Sequence, residues 1–193
     1  MRRHSTGRRR ASRGWWLGLL VCAALAVVPG AYATERGAKA PNIPLGVVVD
    51  GKTVKDLQAL RGRVVVLDFW AHWCKPCKQE LPVLEKIYSE YRSHGVVVIG
   101  ISVDDDDAKM KKFLQELGKK DSSKITFPIL RDKHESIAPK YDPSTMPSSY
   151  IIDPKGRVHH VQLGFRGGYR RGDGLVLENE IRKLLGMAPV VGS

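Results

Sequence analysis

Two cysteines separated by two residues, Cys74 and Cys77, are the side chains of this 193-residue chain best suited to chemistry. They stand in Trp73-Cys74-Lys75-Pro76-Cys77, between an apolar run and a stretch whose apolar residues recur at helical spacing. A cysteine at the start of a helix meets unpaired backbone N–H groups and the positive end of the helix dipole, and both favour thiolate over thiol. Lys75 adds a positive charge beside it, and Pro76 suits a first helical turn, where its missing N–H costs nothing. Cys77, one turn further on, is expected to be more buried and less acidic. The asymmetry assigns roles: Cys74 attacks a partner's disulfide, and Cys77 resolves the mixed disulfide by closing a Cys74–Cys77 bridge. A purely structural staple is a poor reading, because so small a ring constrains little unfolded-chain entropy. Structural zinc needs four ligands, and His72, His94, His134, His159 and His160 supply no matching framework. No metal is expected, and no cofactor beyond the redox-active disulfide itself. His72 reads as a surface residue beside the pair.

The elements that must hold this pair are legible on either side of it. Arg63–Trp70 (RVVVLDFW) and Val96–Val103 (VVVIGISV) are near-continuous apolar runs rich in β-branched residues, the pattern of strands buried on both faces. Between them, Cys74 to about Ser93 is helical by spacing, with Leu81, Leu84, Ile87 and Tyr91 along one side. Upstream, the polar segment 34–45 reads as a linker, Val47-Val48-Val49 with Asp50-Gly51 as a small hairpin, and Val54–Leu60 as a short helix. Downstream, Asp104 to Asp107 lead into a helix through Leu117, their charges facing the positive end of its dipole. The regular oxygen spacing of a calcium loop is absent there. Thr126–Leu130 and Ser149–Asp153 read as strands, and Asp153-Pro154-Lys155-Gly156 turns the latter into a hairpin with Arg157–Leu163. Gly164–Gly174 is a flexible loop by composition, and Leu175–Leu185 a closing amphipathic helix. The order predicts one α/β domain over 46–187, a central sheet with helices on both faces, followed by a short tail, 188–193.

Val66-Leu67-Asp68-Phe69-Trp70-Ala71-His72-Trp73-Cys74-Lys75-Pro76-Cys77 resembles the thioredoxin active-site segment. The continuation Lys78-Gln79-Glu80-Leu81-Pro82 is similar to the TlpA/ResA-like (DsbE-like) extracytoplasmic thioredoxins, which include cytochrome c maturation reductases. The resemblance runs from about Pro41 to Leu185 and implies a thioredoxin fold with a mixed sheet and an N-terminal β-hairpin extension. It implies that Pro147, after Met146, is a cis-proline whose loop faces the cysteines and pairs with an incoming peptide. It implies that Asp68 is the buried carboxylate that helps deprotonate the second cysteine, although relatives of this branch often carry Asn there. Glu80 matches an acid near the cysteines in the same branch. It tunes their acidity or reads the partner, or is simply an acid in the first helical turn, and these readings stand. Trp73, Lys75, Pro76, Met146 and Pro147 are the expected partner-contacting residues, with Trp70 and Trp73 packing about the site.

The N-terminus bears on where this chemistry happens. Six arginines (Arg2, Arg3, Arg8, Arg9, Arg10, Arg13) precede an apolar run of 14 residues from Trp15 to Val28, then Pro29-Gly30 and Ala31-Tyr32-Ala33. That is the order of a secretory signal cleaved after Ala33; an uncleaved membrane anchor is the competing reading. Cys22 follows the bulky Val21 and does not read as a lipidation site, and Ala11-Ser12-Arg13 continues the twin arginine poorly. Residues 1–33 account for half of the +12 net charge, so no nucleic-acid partner is expected. Cleavage leaves Cys74 and Cys77 as the only cysteines. The expected function is therefore an exported thiol:disulfide oxidoreductase, periplasmic or otherwise extracytoplasmic. Its expected partners are protein disulfides and dithiols, with a membrane thiol carrier as electron donor. A thiol peroxidase and a non-catalytic copper chaperone of the same fold are the alternatives. The first would need Thr and Pro ahead of its cysteine, which His72-Trp73 does not supply, and the second a wider cysteine spacing and a distal His.

Overall fold

The structure is a computed structural model that describes residues 34–121 and 124–192. The leader read from the sequence, with Cys22 and the cleavage point after Ala33, lies outside the described residues.

The two Val-rich runs form the centre of the fold because every one of their side chains can be buried. β1 (Pro44–Val49) and β2 (Lys52–Asp56) make an antiparallel hairpin, and a 3₁₀ turn (Leu57–Leu60) leads to β3 (Val64–Trp70). Then come α1 (Cys77–Tyr91), β4 (Val96–Ser102), α2 (Asp107–Asp121), β5 (Ile129–Arg131) and the single-turn α3 (Ala138–Tyr141). β6 (Ser148–Ile152), β7 (Val158–Leu163), the two-residue β8 (Gly167–Gly168) and α4 (Gly172–Leu184) complete the chain. The main sheet has the order β5-β4-β3-β6-β7, with β3, β4 and β5 parallel and β6 and β7 antiparallel to their neighbours. This is the mixed sheet flanked by helices that the resemblance implies, with its hairpin extension.

Strand periodicity sorts β3 into two cores. Val64, Val66 and Trp70 face α1, α2 and α4, whereas Val65, Leu67 and Phe69 face the hairpin and α3. Burying each such aliphatic side chain contributes about 1.5–3 kcal/mol, which is why a seven-residue strand with no exposed position can anchor the sheet. Asp68 falls on the α1 face, between Val66 and Trp70.

Several boundaries differ from the sequence reading. Segment 34–45, expected as a linker, is laid onto the sheet: Gly37 N–H donates to Val158 O at 2.7 Å, Val158 N–H to Ala38 O at 2.9 Å, and Ala40 and Ile43 are buried. Val54 belongs to β2, opposite Val47, so only Leu57–Leu60 turns helically, capped by Asp56 accepting from Ala59 N–H at 3.1 Å. Thr126–Leu130 is not a strand throughout. Thr126 N–H and Phe127 N–H bind the Glu85 carboxylate of α1 instead of a neighbouring strand, and pairing starts only at Ile129. The Gly-rich stretch 164–174 is ordered by its charges. Arg170 reaches Glu90 of α1 at 3.0 Å and the fully buried Glu178 of α4 at 3.3 Å, the Tyr169 hydroxyl binds Glu90, and Asp173 accepts from Arg166 N–H at 2.6 Å. Arg182 extends the network by donating to the Tyr91 hydroxyl, which donates to Glu178 at 2.7 Å. Helix α4 accordingly begins at Gly172, where Gly174 packs against Gly168 O too closely for any Cβ.

Candidate active site

The carboxyl ends of β3 and β4 and the start of β6 meet at one edge of the sheet, and the cysteines lie there, where open α/β sheets place their sites. After Trp70 the chain turns through Ala71–Pro76, closed by Cys74 N–H donating to Ala71 O at 3.1 Å. Helix α1 starts at Cys77 with Pro76 as its N-cap, so Cys74 lies just ahead of the helix and Cys77 is its first residue. This refines the expected register by a few residues and sharpens the electrostatic argument. Cys77 N–H, one of the orphan donors of the first turn, points at Cys74 Sγ at 3.2 Å. A thiolate on Cys74 would accept that hydrogen bond and face the positive end of α1.

The two cysteines are joined in a disulfide with Cα atoms 5.4 Å apart. Cys74 is 3% exposed and Cys77 is fully buried, an asymmetry that leaves Cys74 the sulfur nearer solvent. Trp73 is 63% exposed, a large apolar surface immediately beside it. Lys75 is exposed and Pro76 half-buried. The Met146–Pro147 peptide bond is cis, and Pro147 directly precedes β6, its carbonyl accepting from Gly164 N–H at 2.7 Å. Met146 packs between the two apolar cores.

Below the cysteines, Asp68 and Glu80 are buried and both contact one hydroxyl, Ser149 Oγ, at 3.1 Å and 2.8 Å. Burial drives both carboxyls up. That of Asp68 moves from the ordinary 3.8 to about 7, burial outweighing the Ser149 hydrogen bond. Glu80 is pushed well above the usual range by burial first and by the Asp68 charge second. Glu80 does lie in the first turn of α1, and its side chain is 1% exposed and directed at Ser149 rather than at solvent. Ser149 has no motif of its own. Its one sequence signal is register: the strand after Pro147 pairs antiparallel with β3 and sets Ser149 opposite Asp68.

Asp104 is the second residue whose place the sequence does not disclose. It is buried rather than part of the helix start. His72 N–H donates to both its oxygens at 3.0–3.1 Å, Ser102 Oγ donates to it at 2.8 Å, and His72 Nδ1 stands 2.6 Å away. This carboxylate ties the Ala71–Pro76 turn to the end of β4. His72 is therefore a fixed part of the turn and not a free surface residue. Of the four aspartates only Asp106 caps α2, accepting from Ala108 N–H at 2.8 Å and Lys109 N–H at 3.2 Å, with Asp107 in the first turn.

Residues 36–161 match the AhpC/TSA family. The chain belongs to that family. Within it, the chain is 37% identical over 132 residues to a thiol-disulfide oxidoreductase ResA of Bacillus thuringiensis, covering 67% of this chain and 70% of that protein. It is 32% identical over 139 residues to the thiol-disulfide oxidoreductase ResA of Bacillus subtilis, covering 72% and 73%. A crystal structure of a thiol:disulfide interchange protein DsbE from Chlorobium tepidum superposes with a TM-score of 0.67 at 31% identity, over 79% of this chain and 99% of that one. With these relatives, the fold and the Cys74–Cys77 disulfide, this member of the family is a thiol:disulfide oxidoreductase acting by dithiol–disulfide exchange.

Proposed function

We propose that the protein reduces disulfides of other proteins outside the cytoplasm, of the cytochrome c maturation or metal-site assembly type, and is itself re-reduced by a membrane thiol carrier. Cys74 is the attacking sulfur and Cys77 the resolving one; Trp73, Lys75, Pro76, Met146 and Pro147 form the surface that meets the partner. The observation that carries this reading is Cys77 N–H directed at Cys74 Sγ beside an exposed tryptophan. A stabilised thiolate leaves a mixed disulfide readily, and a flat apolar neighbour suits an unfolded polypeptide better than a small molecule. The leader of residues 1–33 supports work beyond the membrane, with an anchor in place of cleavage as the other arrangement.

Direction of electron flow is a matter of potential. Proteins of this chemistry range from about −270 mV for thioredoxin to about −120 mV for the oxidant DsbA. Equilibrating the mature protein with glutathione or dithiothreitol buffers is expected to place it toward the reducing end, with turnover of an oxidised Cys-X-X-Cys-His haem-attachment peptide. A potential at the DsbA end would make it an oxidant and overturn the proposal. Peroxide consumption by the reduced protein would favour the peroxidase alternative, and tight copper binding the chaperone alternative.

A further inference from the structure

Asp68, Glu80 and Ser149 pose a hydrogen-counting problem. Ser149 Oγ is within hydrogen-bond distance of Asp68 Oδ1 and of Glu80 Oε1, and a serine hydroxyl has one hydrogen to give. If it donates to one carboxyl, the other contact holds a hydrogen only when that carboxyl is protonated and donates back to Oγ. With both carboxyls ionised, one oxygen–oxygen contact would be bare, and two negative charges would sit where no water reaches. The surroundings offer no rescue. Asp68 Oδ2 and Glu80 Oε2 are buried without a hydrogen-bond partner among the described residues. Opposite Asp68, β4 presents Gly100, which has no side chain; beside Ser149, β7 presents the neutral Gln162, and α4 presents Asp173, which is negative. On α1, Cys77 lies one turn before Glu80 on the same buried face.

We propose that Ser149 is the positioning residue of the second half of the exchange: its hydroxyl ties Asp68 to Glu80 so that the pair keeps one proton between them and can accept a second. The inference rests on the exchange chemistry given above. In the first half, the Cys74 thiolate attacks the partner's disulfide, one partner sulfur leaves as thiolate, and the other stays bound to Cys74. In the second, the Cys77 thiol yields its proton to the carboxyl pair, which passes from one proton to two. The Cys77 thiolate then displaces the partner's second sulfur from Cys74. The partner gains two electrons, the cysteines lose two, and the proton on the pair returns to solvent or to a released thiolate. A pair already holding one proton makes this possible without ever placing two charges in the core. The raised Asp68 and Glu80 titrations agree with the geometry.

The test follows the protonated-carboxyl C=O band by infrared difference spectroscopy in the oxidised mature protein, without partner or electron donor. Its outcome is therefore independent of which way electrons flow in the cell. If the two carboxyls share the proton, Asp68→Asn lowers the titration midpoint of Glu80 by about one pH unit or more, a tenfold change in proton affinity, whereas Glu80→Gln does not lower that of Asp68, whose ionised form Glu80 stabilises by hydrogen bonding. Asp68→Asn removes the like charge beside Glu80 and leaves Ser149's hydrogen to a single claimant. Ser149→Ala raises the midpoint, and shifts the alkaline limb of mixed-disulfide resolution in the same sense while the pH profile of Cys74 alkylation stays in place. Ser149→Thr, which keeps the hydroxyl, restores both. A Glu80 carboxyl that titrates at the wild-type midpoint in Asp68→Asn would overturn the sharing. An unmoved midpoint in Ser149→Ala would remove Ser149 from it.

Discussion

Replacing Asp68 by Asn should change how the stability of the oxidised protein depends on pH. Asp68 is fully buried on β3, accepts from Ser149 at 3.1 Å through one oxygen and leaves the other unpartnered. Its carboxyl moves from the ordinary 3.8 to about 7 in the fold, mainly through burial. The folded protein thus retains a proton that the unfolded chain has already released. The contribution of this proton to stability is full below pH 3.8 and is lost as pH rises through about 7. The interval of about 3 pH units, at about 1.4 kcal/mol per unit and proton, amounts to about 4 kcal/mol. Asn is nearly isosteric, carries no titration, and its amide offers a donor to Glu80. Urea unfolding of both proteins at about pH 4 and about pH 8, with the disulfide intact, should show the variant gaining on the wild type by a few kcal/mol as pH rises. A residual slope should remain from Glu80, which burial also pushes up. Parallel pH dependences for the two proteins would refute the claim that this carboxyl is held protonated by burial.

Other variants separate architecture from chemistry. In Gly100→Ala the added Cβ would lie 2.7 Å from Ile129 Cδ1 and 3.0 Å from Trp70 Nε1, so a loss of about 1–3 kcal/mol is expected in chemical denaturation. Trp73→Ala should leave stability within about 0.5 kcal/mol, since the side chain is largely exposed. The same variant should slow reduction of protein disulfides much more than that of a small disulfide reagent. Asp104→Ala strips the carboxylate from His72 N–H and Ser102, leaving buried donors unsatisfied. It should cost about 2–3 kcal/mol and alter the alkylation rate of Cys74 in the reduced protein, measured with iodoacetamide.

The sheet was legible because its central strands carry their own signal: an unbroken apolar run of β-branched residues has few other uses than a strand covered on both faces. The cysteine pair was legible because a strand, a two-residue cysteine spacing and an amphipathic helix follow one another in the chain. What the sequence hid is long-range. Asp104 is one of four successive aspartates, and only the packing of β4 against the turn after β3 separates it from the three that follow. Ser149 is one of two adjacent serines, and its function depends on which of them register sets against Asp68. The stretch 164–174 has the composition of a mobile loop, yet Tyr169 and Arg170 fix it to carboxylates on two other helices. Segment 37–43 is short, Pro-containing and without strand periodicity, and its hydrogen bonds go to residues more than 100 positions later, at Val158 and Gly156.

The division of labour between the cysteines is tested most directly by trapping. Reduced Cys77→Ser and Cys74→Ser proteins are each mixed with an oxidised partner peptide, and the covalent adducts are weighed by mass spectrometry. The account predicts a stable adduct through Cys74 in the first variant and none in the second. Adducts formed equally well by both, or only through Cys77, would contradict it.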